Sequence, residues 1–361
     1  MYYIPAHLKD MNRQMIYQII AGGDATSRAQ LSRDSGISLP TVNKTIKHFI
    51  DLGIVHEIDD SEDYQEGRLG RRPQLIRFNS GAFLAVGVEY EGESIRVGLV
   101  DLSGQVRALR VSQITGLGED TANAIVEIVE ELIAAESIDR SILLGVGIGL
   151  PGVVDIENRT VNAGPMVGVF QPTSLDSIAT TIEQRLGLPV AFDNDVNAAA
   201  IGEYTVRGSD PRTDLVFLSL GTGFGGGIIL NGQLWRGRHN FAGEFGYMIF
   251  DEHSESQTSQ VGWLEARIGL HAASRPAPEF VATQLALAMA NIAMVIGVEL
   301  FVVGGTAVTR LGEGFVRLVS DALARFSDLP LVVQASVCPE PGVVGAASLA
   351  IANTLNERWN D

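Results

Sequence analysis

The stretch TSRAQLSRDSGISLPTVNKTIKHFIDLG, residues 26–53, constrains the fold more than any other part of this chain. It reads as two short helices joined by a sharp turn at Gly36, where a residue without a side chain suits the geometry. Ser27 is placed to cap the first helix, with Gln30 closing a capping box and Leu31 as the apolar anchor. Ser38 is placed to cap the second, and Pro40 falls in its first turn, where a missing N–H costs little. Val42, Ile46, Phe49 and Ile50 then recur at helical spacing and share one buried face. Thr41, Asn43, Lys44, Lys47 and His48 are left pointing outward, so together with Ser38 they form the candidate DNA-contacting surface of a recognition helix. An ordinary helical hairpin with a polar outer face is the alternative. After Gly53, the extended runs IVHEI and QLIRFN flank a glycine- and arginine-rich tip, the pattern of a wing. Arg68, Arg71 and Arg72 are expected there beside the phosphate backbone, fixing register without reading sequence. The expectation is a winged helix-turn-helix over residues 1–80.

A net charge of −17 argues at first against a nucleic-acid partner, and its distribution removes the conflict. Residues 1–80 hold 10 basic and 10 acidic side chains, whereas residues 81–361 hold 16 basic against 33 acidic. All three lysines, Lys9, Lys44 and Lys47, lie in the first segment. Attraction to phosphate must therefore be local, with the acidic body held away from the duplex and binding strongly salt-dependent. The 361 residues, 46% of them hydrophobic, allow two or three well-packed domains. The single cysteine, Cys338, excludes an intrachain disulfide and any multi-cysteine metal site. No uninterrupted apolar run reaches the roughly 18 residues of a spanning helix and no signal peptide is read, so a cytoplasmic protein without a membrane partner is expected.

From residue 83 the pattern changes to strands alternating with helices. FLAVGVEYEGESIRVGLVDLSGQVRALRV suggests a hairpin or meander, and amphipathic helices are expected near 121–136 and 174–187. PVAFDNDVNAAAIGE is a strand ending in polar residues that runs straight into a helix. A long apolar helix is expected at about 279–297, and VVGAASLAIANTL closes the chain as another. Glycine turns at strand ends are where an α/β body usually binds its ligand.

IGLPGVVD, DNDVNAAAIGE, GTGFGGG, AGEFG, GWLEA and VVGG occur in this order between residues 148 and 305. Together they resemble the ROK family of repressors and sugar kinases, and the winged helix in front resembles its repressor branch. The resemblance implies an α/β, actin-like (ribonuclease H-like) two-lobed body over residues 81–361, closing on a cleft near 193–197 and 221–247, in a homodimer or tetramer. Asp195 matches the family's catalytic base and Asn194 its sugar-binding neighbour, while Glu244 and Glu265 match its other hydroxyl-gripping acids. Carboxylates suit that task because each accepts several hydrogen bonds from vicinal hydroxyls.

The resemblance fails at two places. Family kinases carry an aspartate–any–glycine–glycine–threonine turn, and here the matching residues are Glu89, Tyr90, Glu91, Gly92 and Glu93. A carboxylate ~4 Å from a phosphate oxygen costs about 4 kcal/mol at an effective dielectric of 20, so Glu91 and Glu93 are expected to exclude ATP. The family's zinc ligands, one histidine and three cysteines, are replaced by Tyr247, Ser256, Thr258 and Trp263, so neither zinc nor another cofactor is expected. Because the family histidine also touches the sugar, Tyr247 joins the candidate sugar residues. The expected function is a sugar-responsive transcriptional repressor that binds double-stranded operator DNA, takes a sugar or sugar-phosphate effector and performs no catalysis, with Asp195 a vestigial base. Arg236 and Arg238 stand near the cleft as local positive charge. A sugar kinase carrying a DNA-binding domain, supported by Asp195 and GTGFGGG, is the alternative, and a ligand-free structural cleft is a third reading.

Overall fold

The computed structural model describes residues 5–23, 25–58, 74–91, 93–114, 116–162, 169, 171–210, 212–221, 223–251, 262–268, 276–312 and 314–358. The chain opens with α1 (Pro5–Ala21), β1 (Ala25–Ser27), α2 (Arg28–Ser35), α3 (Leu39–Asp51), β2 (Val55–Ile58) and β3 (Leu75–Phe78). Helix α1, unread in the sequence, supplies Ile16 and Ile20 to a core shared with Leu31, Val42, Ile46 and Phe49. Strand β3 pairs antiparallel with both β1 and β2, completing a winged helix-turn-helix. The Ser27 hydroxyl accepts from the Gln30 N–H, and Gly36 ends α2 at φ 68°. The other half of the capping box does not form: Gln30 Oε1 accepts from the Arg33 guanidinium instead. Ser38 is also corrected, since it sits at the N-cap of α3 without a cap bond and its hydroxyl meets Thr41 Oγ1 at 2.9 Å.

The body follows as β4 (Leu84–Glu91), β5 (Ser94–Asp101), β6 (Val106–Gln113), α4 (Glu119–Ala135), β7 (Leu143–Leu150), β8 (Val153–Asp155), β9 (Thr160–Asn162), β10 (Thr173–Ser174), α5 (Asp176–Leu186) and β11 (Val190–Asn194). Helix α6 (Asp195–Val206) leads to the second half: β12 (Leu215–Leu220), β13 (Phe224–Leu230), β14 (Gln233–Leu234), α7 (Trp263–Ile268), α8 (Pro278–Ile296), β15 (Leu300–Gly304), α9 (Thr306–Leu311), α10 (Phe315–Leu323), β16 (Val332–Ala335) and α11 (Pro341–Arg358). The first sheet runs β11-β7-β4-β5-β6 and the second β14-β13-β12-β15-β16. In each, three consecutive strands form an antiparallel meander and two later strands add in parallel beside the first. The two lobes therefore share one topology, the duplicated architecture of actin-like folds.

Helix α8 is long and apolar enough in composition to cross a membrane, although Glu279, Gln284 and Asn291 interrupt its apolar run. Here Val281, Leu285, Met289 and Ile292 bury it in the core of the second lobe. Helices α6 and α11 lie back to back between the lobes at van der Waals distance of their backbones. A Cβ on Gly345 would fall 1.6 Å from the Ala198 carbonyl oxygen, and one on Gly202 would fall 2.1 Å from that of Pro341. The head rests on the same assembly. Its core continues into Ala85, Val100, Leu102, Val343, Ala347 and Ile351 of the body, and Tyr17 Oη donates to the Leu102 carbonyl at 3.3 Å.

Because neither backbone at the α6–α11 crossing is a flexible side-chain end, Gly345→Ala is expected to force the helices apart. Overpacking of this kind costs about 1–3 kcal/mol or more. A urea midpoint equal to that of the unaltered chain would contradict this account of the crossing.

Candidate functional site

The strand β11 ends at Asn194, and there the chain turns into α6. Asn194 caps that helix: its Oδ1 accepts from the N–H groups of Val196 at 2.9 Å and Asn197 at 3.0 Å. Its Nδ2 donates to the Gly152 carbonyl and to Asp195 Oδ1, each at 3.0 Å. Asp195, in the first turn, also accepts from the Val196 N–H at 2.9 Å. Glu244 opens the short turn Phe245–Tyr247, and Glu265 stands on α7 with Oε2 accepting from the Phe224 N–H at 3.2 Å. All four, with Tyr247, line one cleft of about 1590 Å³ between the lobes. The structure thus brings together the five side chains singled out from sequence as sugar contacts.

The cleft is electronegative and partly dry. Burial raises the Asp195 carboxyl to about 6 against the opposing pull of backbone and Asn194 hydrogen bonds. Burial, then the charges of Asp195 and Glu265, raises Glu244 to about 7. Burial followed by Glu244 and Glu265 also pushes the Tyr247 phenol up. Ionised acids clustered in this way accept hydrogen bonds from the hydroxyls of a neutral polyol and repel an added anion.

At the phosphate side the sequence reading needs two corrections. Glu89 and Glu91 line the cleft, but Glu93 is exposed at the turn and is not among the lining residues. Glu89 is raised to about 8 by burial and then by Glu91, with Arg96 opposing, so near neutral pH it is largely protonated and repels a phosphate only weakly. Arg96 is itself held by Glu340, with Nε to Oε2 at 2.8 Å and a second bond from its terminal nitrogen to Oε1. Its remaining contact is Glu89 Oε2 at 3.9 Å. Nor is Arg236 available to a ligand: it forms a two-pronged ion pair with Asp193, which is 1% exposed and also accepts from Asn197 Nδ2 at 3.1 Å. Arg238 is exposed. Asp193 and Arg236, which pin the β14–α7 loop to the base of α6, were not singled out as a pair from sequence.

Of the zinc-position residues, Tyr247 is 51% exposed and Trp263 packs edge-on against Phe250. Ser256 and Thr258 lie outside the described residues. Among the described residues no group of three or more histidine, cysteine or acidic side chains is placed to hold a metal ion. On the head, Ser38, Asn43, Lys44 and Lys47 are exposed along the outer side of α3. Thr41 and His48 are half-buried, and Lys47 is within 3.1 Å of Asp51 one turn on. Arg68, Arg71 and Arg72 lie outside the described residues. Arg28, not singled out from sequence, braces the sheet by pairing with Glu57 at 2.5 Å.

A winged helix-turn-helix set on a duplicated α/β body, with an acidic cleft between the lobes, defines an actin-like protein of the sugar-kinase type. Residues 85–262 match the ROK family, and the chain carries a ROK family domain. A putative xylose repressor from Caldicellulosiruptor sp. (strain Rt8B.4) is 32% identical over 264 residues, covering 72% of this chain and 64% of that relative. The chain thus matches under two thirds of that relative's length. A ROK family transcriptional regulator, a homolog of the E. coli MLC protein, superposes over 98% of this chain and 99% of its own with a TM-score of 0.71 at 20% identity, a likeness of fold. The ROK family glucokinase of Streptomyces griseus, in complex with glucose and AMPPNP, is 27% identical with a TM-score of 0.58, covering 74% of this chain and 99% of its own.

The raised carboxyls carry a linkage consequence. In the folded chain Glu89 keeps its proton up to about pH 8, whereas an unfolded glutamate has lost it above about 4.5. Between those values the folded state binds more protons, so stability falls as pH rises and the loss is complete above about 8. Glu89→Gln removes that dependence. Its melting temperature is expected to exceed that of the unaltered chain by a few degrees at pH 9 and to converge with it near pH 5. Parallel curves across that range would contradict the burial of Glu89.

Proposed function

We propose that this chain is a sugar-responsive, DNA-binding transcriptional repressor of carbohydrate-metabolism genes, acting in the cytoplasm as a homodimer or tetramer, whose kinase-like body binds a sugar without phosphorylating it. The observation that carries the reading is the split character of the cleft. Asn194, Asp195, Glu244 and Glu265, matched to the family's hydroxyl-gripping positions, line it together with Glu89 and Glu91, which replace residues of the family's phosphate-binding turn. The relative named a putative xylose repressor supports the same assignment and makes D-xylose the first ligand to test. The exposed face of α3, with Asn43, Lys44 and Lys47, is the surface offered to the major groove. Two copies in a symmetric oligomer would place two such helices on a near-palindromic site.

Under this reading Asp195 accepts a hydrogen bond from a sugar hydroxyl rather than activating it for attack, because Glu89 and Glu91 replace residues of the family's phosphate-binding turn. Sugar hydroxyls donating to Glu244 favour its ionised form, so affinity for a neutral sugar is expected to rise as pH passes about 7.

Duplexes selected from a random pool by the purified protein should bind at low salt and release steeply as salt rises. Lys44→Ala is expected to lower affinity across all selected sequences and to reduce the salt slope by about 1. Asp195→Ala should retain DNA binding and lose release by sugar. Calorimetry with ATP and magnesium is expected to show no binding in the micromolar range. Phosphorylation of a monosaccharide at ordinary kinase rates would overturn the reading in favour of an enzyme.

A further inference from the structure

Glu244 is bracketed by two aromatic side chains, Phe241 three residues before it and Tyr247 three residues after it. Both line the cleft, yet Phe241 is 62% exposed and Tyr247 51% exposed. The backbone beneath Phe241 is pinned at both ends. The loop that carries Phe241 is fastened at its start by Arg236 on buried Asp193, and at its end by the Gly226 N–H donating to the Gly243 carbonyl at 2.8 Å. Within it the Ala242 N–H donates to the Arg236 carbonyl at 3.2 Å, and the Glu244 N–H to that of Phe241 at 3.2 Å. An aromatic ring left toward solvent on an ordered backbone forgoes the burial that normally stabilises it, and two such rings on one cleft rim are a candidate binding surface. The lining residues of the first lobe near its strand ends include Pro151, Val153 and Val169, which are apolar as well.

The four polar side chains suffice to grip a single sugar ring, and the cleft of about 1590 Å³ exceeds the 300–1,000 Å³ of ordinary small-molecule pockets. Its surplus is lined by Glu89, Glu91, Gly304, Gly305 and Thr306 as well as by the aromatic rim. Resting on the sugar reading above, we propose that the effector is an unphosphorylated saccharide of two or more rings. The first ring is held by Asn194, Asp195, Glu244 and Glu265, and the next lies against the faces of Phe241 and Tyr247. Stacking suits this second position because a sugar ring presents an apolar C–H face while its hydroxyls stay in solvent.

Calorimetry on the full chain distinguishes the outcomes, using D-xylose, D-glucose and D-galactose beside xylobiose, cellobiose, maltose and lactose. At least one disaccharide is expected to bind about tenfold or more tightly than its monosaccharide. Phe241→Ala should remove that advantage while leaving monosaccharide affinity within about threefold, since the ring is exposed and outside the polar set. Far-ultraviolet circular dichroism of the variant should match that of the parent. A monosaccharide that binds at least as tightly as every disaccharide, with Phe241→Ala altering neither, overturns the second subsite and leaves the sugar reading intact. Failure of every saccharide to bind overturns both.

Discussion

The backbone contact between α6 and α11 is the constraint on which the rest of this structure depends. Helix α11 comes last in the chain, yet it lies against the first lobe's sheet, with its Val343 carbonyl beside Gly87 of β4 and its Ala346 carbonyl beside Gly147 of β7. The segment that feeds it leaves β16 of the second lobe, so the chain crosses between lobes immediately before the helix. Buried Glu203 of α6 secures that crossing. It accepts from Ser336 Oγ at 2.7 Å and from the N–H groups of Val337 at 3.0 Å and Cys338 at 3.1 Å, and it is paired with Arg207 at 2.7 Å. A buried carboxylate is tolerable only when satisfied in this way. The two lobes are thereby held by a close-packed helix pair, whose fit admits no side chain at Gly202 or Gly345.

The chemistry of the cleft follows from where charge is compensated. Two nearby arginines are already committed, Arg96 to Glu340 and Arg236 to Asp193. The acids that face the cleft, Glu89, Asp195 and Glu244, have no such partner strong enough to hold their carboxyls in the ordinary range, and burial raises all three. An anionic ligand would meet these acids with Arg96 and Arg236 turned to other partners. A polyol meets acceptors and, at Asn194 and Tyr247, polar side chains already oriented by their places on a helix cap and a tight turn. This distribution, rather than any single substitution, is what separates a carbohydrate-binding cleft from one built for a nucleotide.

Local signals were readable in the sequence and long-range pairings were not. The Ser27 cap, the Gly36 turn and the buried stripe Val42, Ile46 and Phe49 all depend on residues within one or two helical turns. Ser38 misled because its hydroxyl pairs instead with that of Thr41, equally near in sequence. The candidate sugar residues were legible because family motifs preserve their order, even though they converge from α6, the Phe245–Tyr247 turn and α7. Arg236 and Asp193 are 43 residues apart, and Arg96 and Glu340 are 244 apart, so no periodicity announces either pair. The duplication of the lobes was equally hidden, because strand order repeats while residue identity does not. Glu93 was misjudged for a simpler reason: alternation along β4 turns Glu89 and Glu91 the same way, and the turn then carries Glu93 outward.

Helix α6 also bears on how a sugar site and a DNA-binding head can belong to one machine. Its first residues are Asn194, the cap, and Asp195, both in the cleft, and twelve helical residues on it ends against the head. A helix of that length spans about 18 Å. At its far end the Gly208 carbonyl oxygen lies where a Cβ on Gly22, just beyond α1, would be 2.4 Å away. Contact of backbone with backbone leaves no side-chain rotamer to absorb a displacement, and close-packed interiors transmit small shifts rather than damping them. On the other flank the helix is fixed to α11, whose outer residues Val343, Ala347 and Ile351 share the core of the winged helix. The sugar-gripping pair and the seat of the head are thus two ends of one rigid element. Under the proposed function, a ligand that repositions Asn194 and Asp195 acts directly on the surface supporting the recognition helix.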